Sequence, residues 1–535
     1  MKVYKGKTVS TGIVTGKVFF WEKQNFAVEE TKTENPEREL VRFRNARERA
    51  LKELEEIYQK TEKSAGEKEA EIFSVHILLL NDEDYVQMIE NSITEQKNTA
   101  EYAVALAKEH FMGMFRQMDN DYMKERADDI RDISERVLSN LLNRKPAAEL
   151  EEPVILVAEE LTPGDTVLFD RSKILGFVTK RGSENSHTAI LARSMNVPAV
   201  IQVQAEKDWD GRWMILDGTE SRIILDPVET ELKEAKEKIR QEKEREANLI
   251  SLKDRESITP EGRKIRLYGN AGNVDEIRDA LVNGAEGIGL FRSEFIYLNA
   301  SDYPTEDEQY NIYRTAAEML NGKLLVIRTL DIGADKKVSY FDLPDEENPA
   351  LGYRAIRICL TRQELFRTQL RAILRASVYG NIAVMFPMII SVKEVEQAKK
   401  ILNEVKNELQ SQKIPCQDIE IGIMIETPAA AVISDELAEL VDFFSLGTND
   451  LTQYTLAIDR QNQHLDTFYD AHHKAVLKLI QMVIENGHKK GCWVGICGEL
   501  GTDTALTRWF IEQEIDELSV CPASLLKVKD KIIHS

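Results

Sequence analysis

Residues 419–426 read IEIGIMIE, an apolar run of strand length that ends on a carboxylate. The same pattern, a short apolar run followed by a helical stretch, recurs through the second half of the chain. Its other members are Ile265–Leu267, Gly287–Phe291, Leu324–Ile327, Ile382–Phe386, Val441–Leu446, Cys492–Ile496 and Leu518–Val520. Eight strands that alternate with helices are typical of a (β/α)8 barrel. The sequence therefore predicts such a TIM-like barrel over residues 259–535.

Polar side chains come directly after most of these predicted strands. They are Asn270, Arg292, Arg328, Glu426, Asn449 with Asp450, and Cys497. Because the carboxyl ends of barrel strands form the active face, we expect these side chains to converge on one site. Glu426 and Asp450 supply hard oxygen atoms, and Mg²⁺ binds through one or two carboxylates together with substrate oxygens. The pattern therefore predicts a Mg²⁺ site.

Cationic side chains gather in the predicted loops around these two carboxylates. They are Arg292, Arg328, Arg354 and Arg460, together with Lys336. A single arginine is adequately explained as a surface ion pair. Several of them at strand ends favour a site for a small phosphorylated anion, because guanidinium groups bind phosphate and carboxylate bidentately.

Cys497 lies in the segment GICGEL at residues 495–500, just past a predicted strand. Free cysteines are usually small buried apolar residues. The flanking glycines and the strand-end position make a proton donor or a nucleophile an equal alternative. The residue type alone leaves the choice open.

The first half of the chain changes character twice. Residues 1–21 read as short strands, residues 35–143 carry apolar positions at helical spacing, and strand character returns over residues 153–225. An α/β domain interrupted by an all-helical insertion explains this order. Residues 229–256 are a dense run of Glu, Lys and Arg, which favours an exposed connecting helix.

His187 follows a predicted strand and the loop RGSENS at residues 181–186, and it precedes a stretch of helical character. We therefore expect it at a helix N-terminus, with Ser186 as the candidate cap. There the macrodipole favours a neutral imidazole, and the free N–H groups stabilise an anion such as an attached phosphoryl group. An ordinary hydrogen-bonding histidine is the simpler interpretation of the residue type.

The chain carries 92 acidic and 70 basic residues, a net charge of −22. This balance disfavours nucleic-acid binding, which depends on cationic side chains, and suits a basic protein partner or solubility alone. No apolar run is long enough to span a bilayer, and the first residues lack the pattern of a signal peptide. Five cysteines without a CxxC pair indicate neither a disulfide framework nor a zinc site. We therefore expect a cytoplasmic protein without membrane insertion.

Longer motifs then become recognisable. In the predicted barrel they are GIGLFRSEF (287–295), RTLDIG (328–333), MII (388–390), ETPAA (426–430), GTNDLTQY (447–454) and CGEL (497–500). Ahead of the barrel they are IF (72–73), HILLL (76–80), ELTP (160–163) and SHT (186–188). Over nearly the whole chain these motifs resemble Enzyme I of the bacterial sugar phosphotransferase system, the phosphoenolpyruvate-protein phosphotransferase family.

The resemblance implies that His187 accepts the phosphoryl group of phosphoenolpyruvate and passes it to the phosphocarrier protein HPr, with release of pyruvate. Cys497 would protonate the enolate carbon, and Thr162 would hydrogen-bond to the His187 ring. Glu426 and Asp450 would hold Mg²⁺. The residues that would bind phosphoenolpyruvate are Arg292, Arg328, Lys336, Asn449 and Arg460.

The resemblance also implies a plan of domains. A swivelling α/β phosphohistidine domain covers residues 1–25 and 146–228, and a helical HPr-docking domain at residues 26–145 interrupts it. A linker helix at residues 229–258 leads to the phosphoenolpyruvate-binding barrel at residues 259–535, through which the family forms homodimers.

Three features depart from the family pattern. The loop GSENSH before the acceptor lacks a glycine and a threonine and places Glu184 where a basic residue is common. Residues 201–203, Ile-Gln-Val, replace Val-Gly-Thr, and the chain stops at Ser535, which leaves barrel closure and dimer stability open. A weakened regulatory paralogue that binds phosphoenolpyruvate or HPr is therefore an alternative. The related phosphoenolpyruvate synthases and pyruvate phosphate dikinases are disfavoured, because the helical insertion leaves no room for their nucleotide-binding domain.

Overall fold

The computed structural model of the chain describes residues 2–535 apart from 23–27, 66, 117–120, 144–149, 162–164, 166–168, 184–185, 334–335, 337, 461 and 466. For residues 60–65, 67–71, 121–125, 128, 187, 190, 194 and 463 it describes the backbone alone. The chain divides into two compact units, Met1–Lys243 and Glu244–Ser535. Across the described ranges, no helix is both long enough and apolar enough to cross a membrane.

A mixed sheet forms the α/β part of the first unit. Its strands are β1 (Lys2–Lys5), β2 (Lys7–Ser10), β3 (Ile13–Trp21), β4 (Val154–Ala158), β5 (Ile174–Thr179), β6 (Ala199–Ile201), β7 (Trp213–Asp217) and β8 (Arg222–Leu225). They lie in the order β1-β8-β7-β3-β4-β5-β6-β2, with β3 to β6 parallel and the other pairs antiparallel. Strand β4 is buried throughout, because its alternate residues pack into separate apolar clusters. A central parallel strand with both faces covered has this apolar character.

Helices separate β3 from β4 in the sequence. In the described residues they are α1 (Pro36–Ala65), α2 (Glu67–Leu80), α3 (Glu83–Thr94), α4 (Ala100–Arg116) and α5 (Asp121–Leu142). Their apolar faces form a core of their own, in which Phe43, Tyr85 and Ile133 are buried. The predicted helical insertion is therefore confirmed. Helix α6 (His187–Ser194) lies between β5 and β6, and the long charged helix α7 (Glu229–Ser251) follows β8.

A closed barrel forms the second unit. Its strands are β9 (Arg266–Ala271), β10 (Ile288–Arg292), β11 (Leu325–Arg328), β12 (Ile382–Phe386), β13 (Glu420–Ile425), β14 (Phe443–Leu446), β15 (Trp493–Ile496) and β16 (Glu517–Val520). Each strand pairs in parallel with the next, and β16 pairs with β9 in the register Glu517 to Arg266 and Val520 to Gly269. All eight predicted strands are present, so the barrel prediction is confirmed. Closure at β16, which the sequence left open, is complete.

Helices surround the strands of the barrel. They are α8 (Val274–Val282), α9 (Glu294–Leu298), α10 (Glu306–Leu320), α11 (Ile356–Thr361), α12 (Gln363–Ala376), α13 (Val392–Ser411), α14 (Pro428–Val432), α15 (Ser434–Leu437), α16 (Thr448–Leu456), α17 (Lys474–Lys489), α18 (Thr507–Glu512) and α19 (Leu525–His534). Strand residues alternate between two cores. Val326 and Met385 pack inside the barrel, whereas Leu325 and Val384 pack into the large outer cluster with the helices.

Candidate active site

The structure places the predicted barrel residues at the carboxyl ends of the strands. Those directly at a strand end are Arg292 on β10, Arg328 on β11, Glu426 after β13 and Cys497 after β15. Asn449 and Asp450 lie in the first turn of helix α16, close behind β14. The active face of a (β/α)8 barrel is built from these ends. The position of Asn270 differs from the predicted one, because this residue lies within β9 instead of following it.

Glu426 is fully buried, and only one of its two carboxylate oxygens is hydrogen-bonded. One carboxylate oxygen accepts the backbone N–H of Met388 at 2.6 Å, and the other has no hydrogen-bonding partner among the described residues. Burial, reinforced by the carboxylates of Asp450 and Asp331, raises the pKa of Glu426 to about 8. A Cβ built at Gly447 would lie 2.9 Å from the unpaired oxygen, so glycine keeps that space open.

The pair of Glu426 and Asp450 fits a Mg²⁺ ion. In the described part of the chain, no group of three or more His, Cys, Asp or Glu side chains is arranged to hold a metal. Mg²⁺ does not need such a group, because it takes one or two carboxylates and completes its shell with water and substrate oxygens. A buried carboxylate oxygen without a partner is unfavourable, and a cation beside it removes that penalty.

A buried network of opposite charges lies at the ends of β10 and β11. Arg328 donates to Glu294 and lies 3.2 Å from Asp331, and Arg354 donates to Asp331 at 2.9 Å. Lys336 donates to the backbone carbonyl of Asp331 at 2.8 Å, and its Nζ lies 3.6 Å from Glu294. Burial opposes ionisation of Asp331, but Arg328 and Arg354 hold its pKa below its usual range. Three cations face two carboxylates, so the network keeps a surplus of positive charge.

Two buried donors in this network have no hydrogen-bonding partner among the described residues. They are the Nε groups of Arg328 and Arg354. Leaving a buried charged donor unpaired is costly, and an anionic ligand would satisfy both groups. The sequence reasoning missed Glu294 and Asp331 as counter-ions. Their only signal was that they lie in the motifs GIGLFRSEF and RTLDIG beside the predicted arginines.

The remaining predicted ligands are less constrained. Arg292 is exposed and forms no ion pair with any described residue. Arg460 lies with a guanidinium nitrogen 3.7 Å from Asp450, and its side chain is 39% exposed. The amide oxygen of Asn449 accepts the backbone N–H of Glu499 at 3.0 Å, which fixes the orientation of its side chain. The exposed side chains of Arg292 and Arg460 have room to adjust around a bound ligand, whereas that of Asn449 is already oriented.

Cys497 is buried, and its thiol lies 3.6 Å from the carbonyl oxygen of Leu446. Burial raises the pKa of this thiol to about 12. The thiol therefore keeps its proton at neutral pH. Because the thiolate is the nucleophilic form, this favours a proton donor over a nucleophile.

His187 is the first residue of helix α6, as predicted. Ser186 has the extended backbone of an N-cap, but its hydroxyl makes no capping hydrogen bond, so the predicted side-chain cap is wrong. The Ser186 hydroxyl is instead buried without a partner in the described part of the chain. The His187 side chain, Thr162 and Glu184 lie outside the described residues, and their predicted roles stay predictions.

Gln202, one of the departures from the family pattern, contacts the loop before His187. Its backbone adopts a φ of +60°, a conformation that glycine takes without strain. Its side-chain amide donates to the carbonyl of Gly182 at 3.1 Å. Compared with glycine, glutamine at this position therefore strains the backbone and adds a hydrogen bond to Gly182.

Comparisons with known proteins cover almost the whole chain. Family models match for the PEP-utilising enzyme N-terminal domain (residues 5–126), mobile domain (residues 150–221) and PEP-binding domain (residues 246–535). The phosphoenolpyruvate-protein phosphotransferase of Priestia megaterium is 43% identical over 536 residues, 99% of this chain and 94% of that protein. The one of Bacillus subtilis (strain 168) is 42% identical over 537 residues, with the same coverage. An NMR structure of Enzyme I, 35% identical, covers 45% of this chain and 99% of that chain, with a TM-score of 0.41.

Proposed function

Because this chain belongs to the phosphoenolpyruvate-protein phosphotransferase family, we propose that it transfers the phosphoryl group of phosphoenolpyruvate to His187 and then to HPr, releasing pyruvate. The observation that carries the proposal is the pair of unsatisfied groups at the barrel face. The Nε groups of Arg328 and Arg354 and one carboxylate oxygen of Glu426 are buried without a hydrogen-bonding partner among the described residues. Phosphoenolpyruvate with a divalent cation supplies both.

In this proposal the arginines orient the substrate. Arg328 and Arg354 present donors from the buried network, and Arg292, Arg460, Lys336 and Asn449 complete the binding of phosphate and carboxylate. Phosphoryl transfer depends mainly on positioning and charge stabilisation. The surplus positive charge of the network serves that purpose without a covalent step.

Glu426 and Asp450 would hold Mg²⁺ beside the substrate. When bound, the ion neutralises charge on the phosphoryl and enolate oxygens. Met388 supports this arrangement, because its N–H holds one oxygen of Glu426 and leaves the other for the ion. Asp450 is only 14% exposed, so its charge acts in a site with little water.

His187 accepts the phosphoryl group, and Cys497 donates a proton. At the start of helix α6, His187 has the free N–H groups of the first turn nearby, and these favour the phosphoryl group once it is attached. Thr162 would hydrogen-bond to its ring. Cys497 donates its proton to the enolate carbon, which gives pyruvate.

The partners and the domain plan belong to the same proposal. The helical part at residues 26–145 would dock HPr, the barrel at residues 259–535 would form a homodimer, and residues 1–25 with 146–228 would carry the phosphohistidine. The helix at residues 229–258 would link them. In this proposal the phosphohistidine domain would swing between the barrel and HPr, because the acceptor and the donor site lie on different domains.

The experiment is a coupled assay of pyruvate release with phosphoenolpyruvate, Mg²⁺ and HPr. We expect turnover that depends on HPr and is lost in His187→Ala. The matched control is His534→Ala, which changes an exposed histidine near the C-terminus and should leave turnover unchanged. Phosphoenolpyruvate binding without any pyruvate release would refute the proposal and favour the regulatory paralogue.

A further inference from the structure

A buried carboxyl group lies inside the barrel, away from the binding residues. Glu517 is the first residue of β16, and it is 1% exposed. A Cβ built at Gly495 would lie 1.9 Å from one of its oxygens, and a Cβ at Gly289 would lie 2.6 Å from the other. The interior of such a barrel is normally filled by apolar side chains. Two glycines on different strands instead make room for a carboxyl group.

A hydroxyl group joins Glu517 to the position beside Cys497. The hydroxyl of Ser519 donates to the Glu517 carboxyl group. In the pairing of β15 with β16, Gly495 lies opposite Glu517 and Ile496 opposite Leu518, so Cys497 comes next to Ser519. Paired strands lie about 4.8 Å apart. The side-chain amide of Asn270 confirms this adjacency, because it donates to the backbone carbonyls of both Cys497 and Ser519.

A cavity at the opposite end of the barrel is lined by strand neighbours of Glu517 and Ser519, although Glu517 itself does not line it. It has a volume of about 590 Å³ and is lined by Arg266 and Tyr268 of β9, with exposed Glu256 and Lys264 at its edge. Arg266 is the register partner of Glu517 in the pairing of β9 with β16. The cavity therefore lies beside strand neighbours of the carboxyl group and is large enough to hold water.

We propose that Glu517 returns a proton to Cys497 after each turnover, through Ser519, and is itself reprotonated from water in the cavity below. This inference rests on the proposed function. When the Cys497 S–H bond breaks, its proton forms the new C–H bond of pyruvate, and the electron pair stays on sulfur. The Ser519 hydroxyl, which donates to Glu517 in the resting structure, then turns to give its proton to the thiolate and takes the proton of Glu517, which leaves a carboxylate to be protonated by water.

The electrostatics of the surrounding groups fit this direction of transfer. Burial raises the pKa of Glu517 to about 8. The hydrogen bond from Ser519 and the charge of Arg266 lower this pKa, and the charge of Asp516 raises it. Burial also raises the pKa of Tyr268 to about 12, with Glu517 adding to the rise. Burial raises the pKa of the Cys497 thiol to about 12, and the charge of Glu517 raises it further. A thiolate there is the stronger base, so the proton moves from Glu517 to sulfur.

Rapid-quench measurement of pyruvate, with HPr in excess, tests the inference through Glu517→Gln. The amide fills the same space but carries no transferable acid proton. We expect the first turnover at the wild-type rate, because Cys497 begins protonated, and later turnovers slower by about a hundredfold. A purely structural defect would slow both phases. Glu256→Gln, at the edge of the same cavity, is the control and should behave as wild type in both phases.

A second variant keeps the test decisive if Glu517→Gln does not fold. Ser519→Ala removes the bridging hydroxyl, and we expect it to slow later turnovers by about tenfold while sparing the first. A chase of ³²P-labelled enzyme with HPr should show hand-off at the wild-type rate in each variant. Later turnovers at the wild-type rate in the folded variants would overturn the inference. Absence of pyruvate from the wild-type chain would instead refute the proposed function.

Discussion

At the scale of single residues, burial of Glu426 lowers the stability of the fold at neutral and higher pH, and the same residue is proposed to hold Mg²⁺. Its pKa of about 8 in the folded chain lies above the value of about 4.3 for an unfolded glutamate. The folded chain therefore holds a proton that the unfolded chain releases, and the resulting stability is full below about pH 4 and is lost as the pH rises to about 8. The loss reflects the cost of ionising a carboxyl group that is buried near the carboxylates of Asp450 and Asp331.

We predict that Glu426→Gln raises the free energy of unfolding at pH 8 by about 1–3 kcal/mol and has little effect at pH 4. Thermal unfolding at both pH values, with and without Mg²⁺, measures this. Mg²⁺ should stabilise the wild-type chain at pH 8 and not the variant. Glu517→Gln is the matched control, because it changes another buried carboxyl group with a pKa of about 8, and it should keep the Mg²⁺ response. An equal Mg²⁺ response in wild type and Glu426→Gln would contradict the metal assignment.

Gln202 offers a second test at this scale. Gln202→Gly relieves the left-handed backbone and loses the hydrogen bond to Gly182, whereas Gln202→Ala keeps the strain and loses the same bond. The glycine variant should therefore be more stable than the alanine variant by about 1 kcal/mol. Urea unfolding of the two variants gives the comparison. Equal stabilities would show that the conformation at residue 202 carries no strain.

At the scale of elements, the ends of β10 and β11 are held together by the Arg328 network. Arg328→Lys replaces a guanidinium group that serves Glu294 and Asp331 with a single ammonium group. We predict a fall in kcat/KM for phosphoenolpyruvate of about a hundredfold, since a bidentate site is lost. The control is Arg314→Lys, on α10, where the arginine donates to Glu318. It should leave kcat/KM unchanged. Unchanged kcat/KM in Arg328→Lys would exclude this residue from the site.

The elements also show what sequence could predict. The strand-end residues Arg328, Glu426 and Cys497 were predictable because apolar runs mark the strands and the next residue faces the active end. Their counter-ions were not, because Glu294 and Asp331 become partners of Arg328 and Arg354 only through folding. Glu517 was equally unpredictable. The glycines that accommodate it, Gly289 and Gly495, belong to strands far apart in the chain.

At the scale of the whole molecule, the two units have separate cores. Among the described residues, the clusters inside and around the barrel contain none before Ile265, and the clusters of the first unit contain none after Ile239. We therefore predict that residues 1–251 and 252–535 fold as separate fragments. The first should accept a phosphoryl group from phosphorylated HPr, and the second should bind phosphoenolpyruvate without becoming phosphorylated. Circular dichroism with ³²P transfer measures both, and an unfolded barrel fragment would contradict the prediction.

The most direct measurement of the central claim is to incubate the whole chain with ³²P-labelled phosphoenolpyruvate and Mg²⁺ and to locate the label by peptide mapping. We predict a label that is stable in base, labile in acid, confined to the peptide containing His187, and absent from His187→Ala. A label on another residue, or no label on the wild-type chain at all, would contradict the claim that the barrel delivers its phosphoryl group to His187.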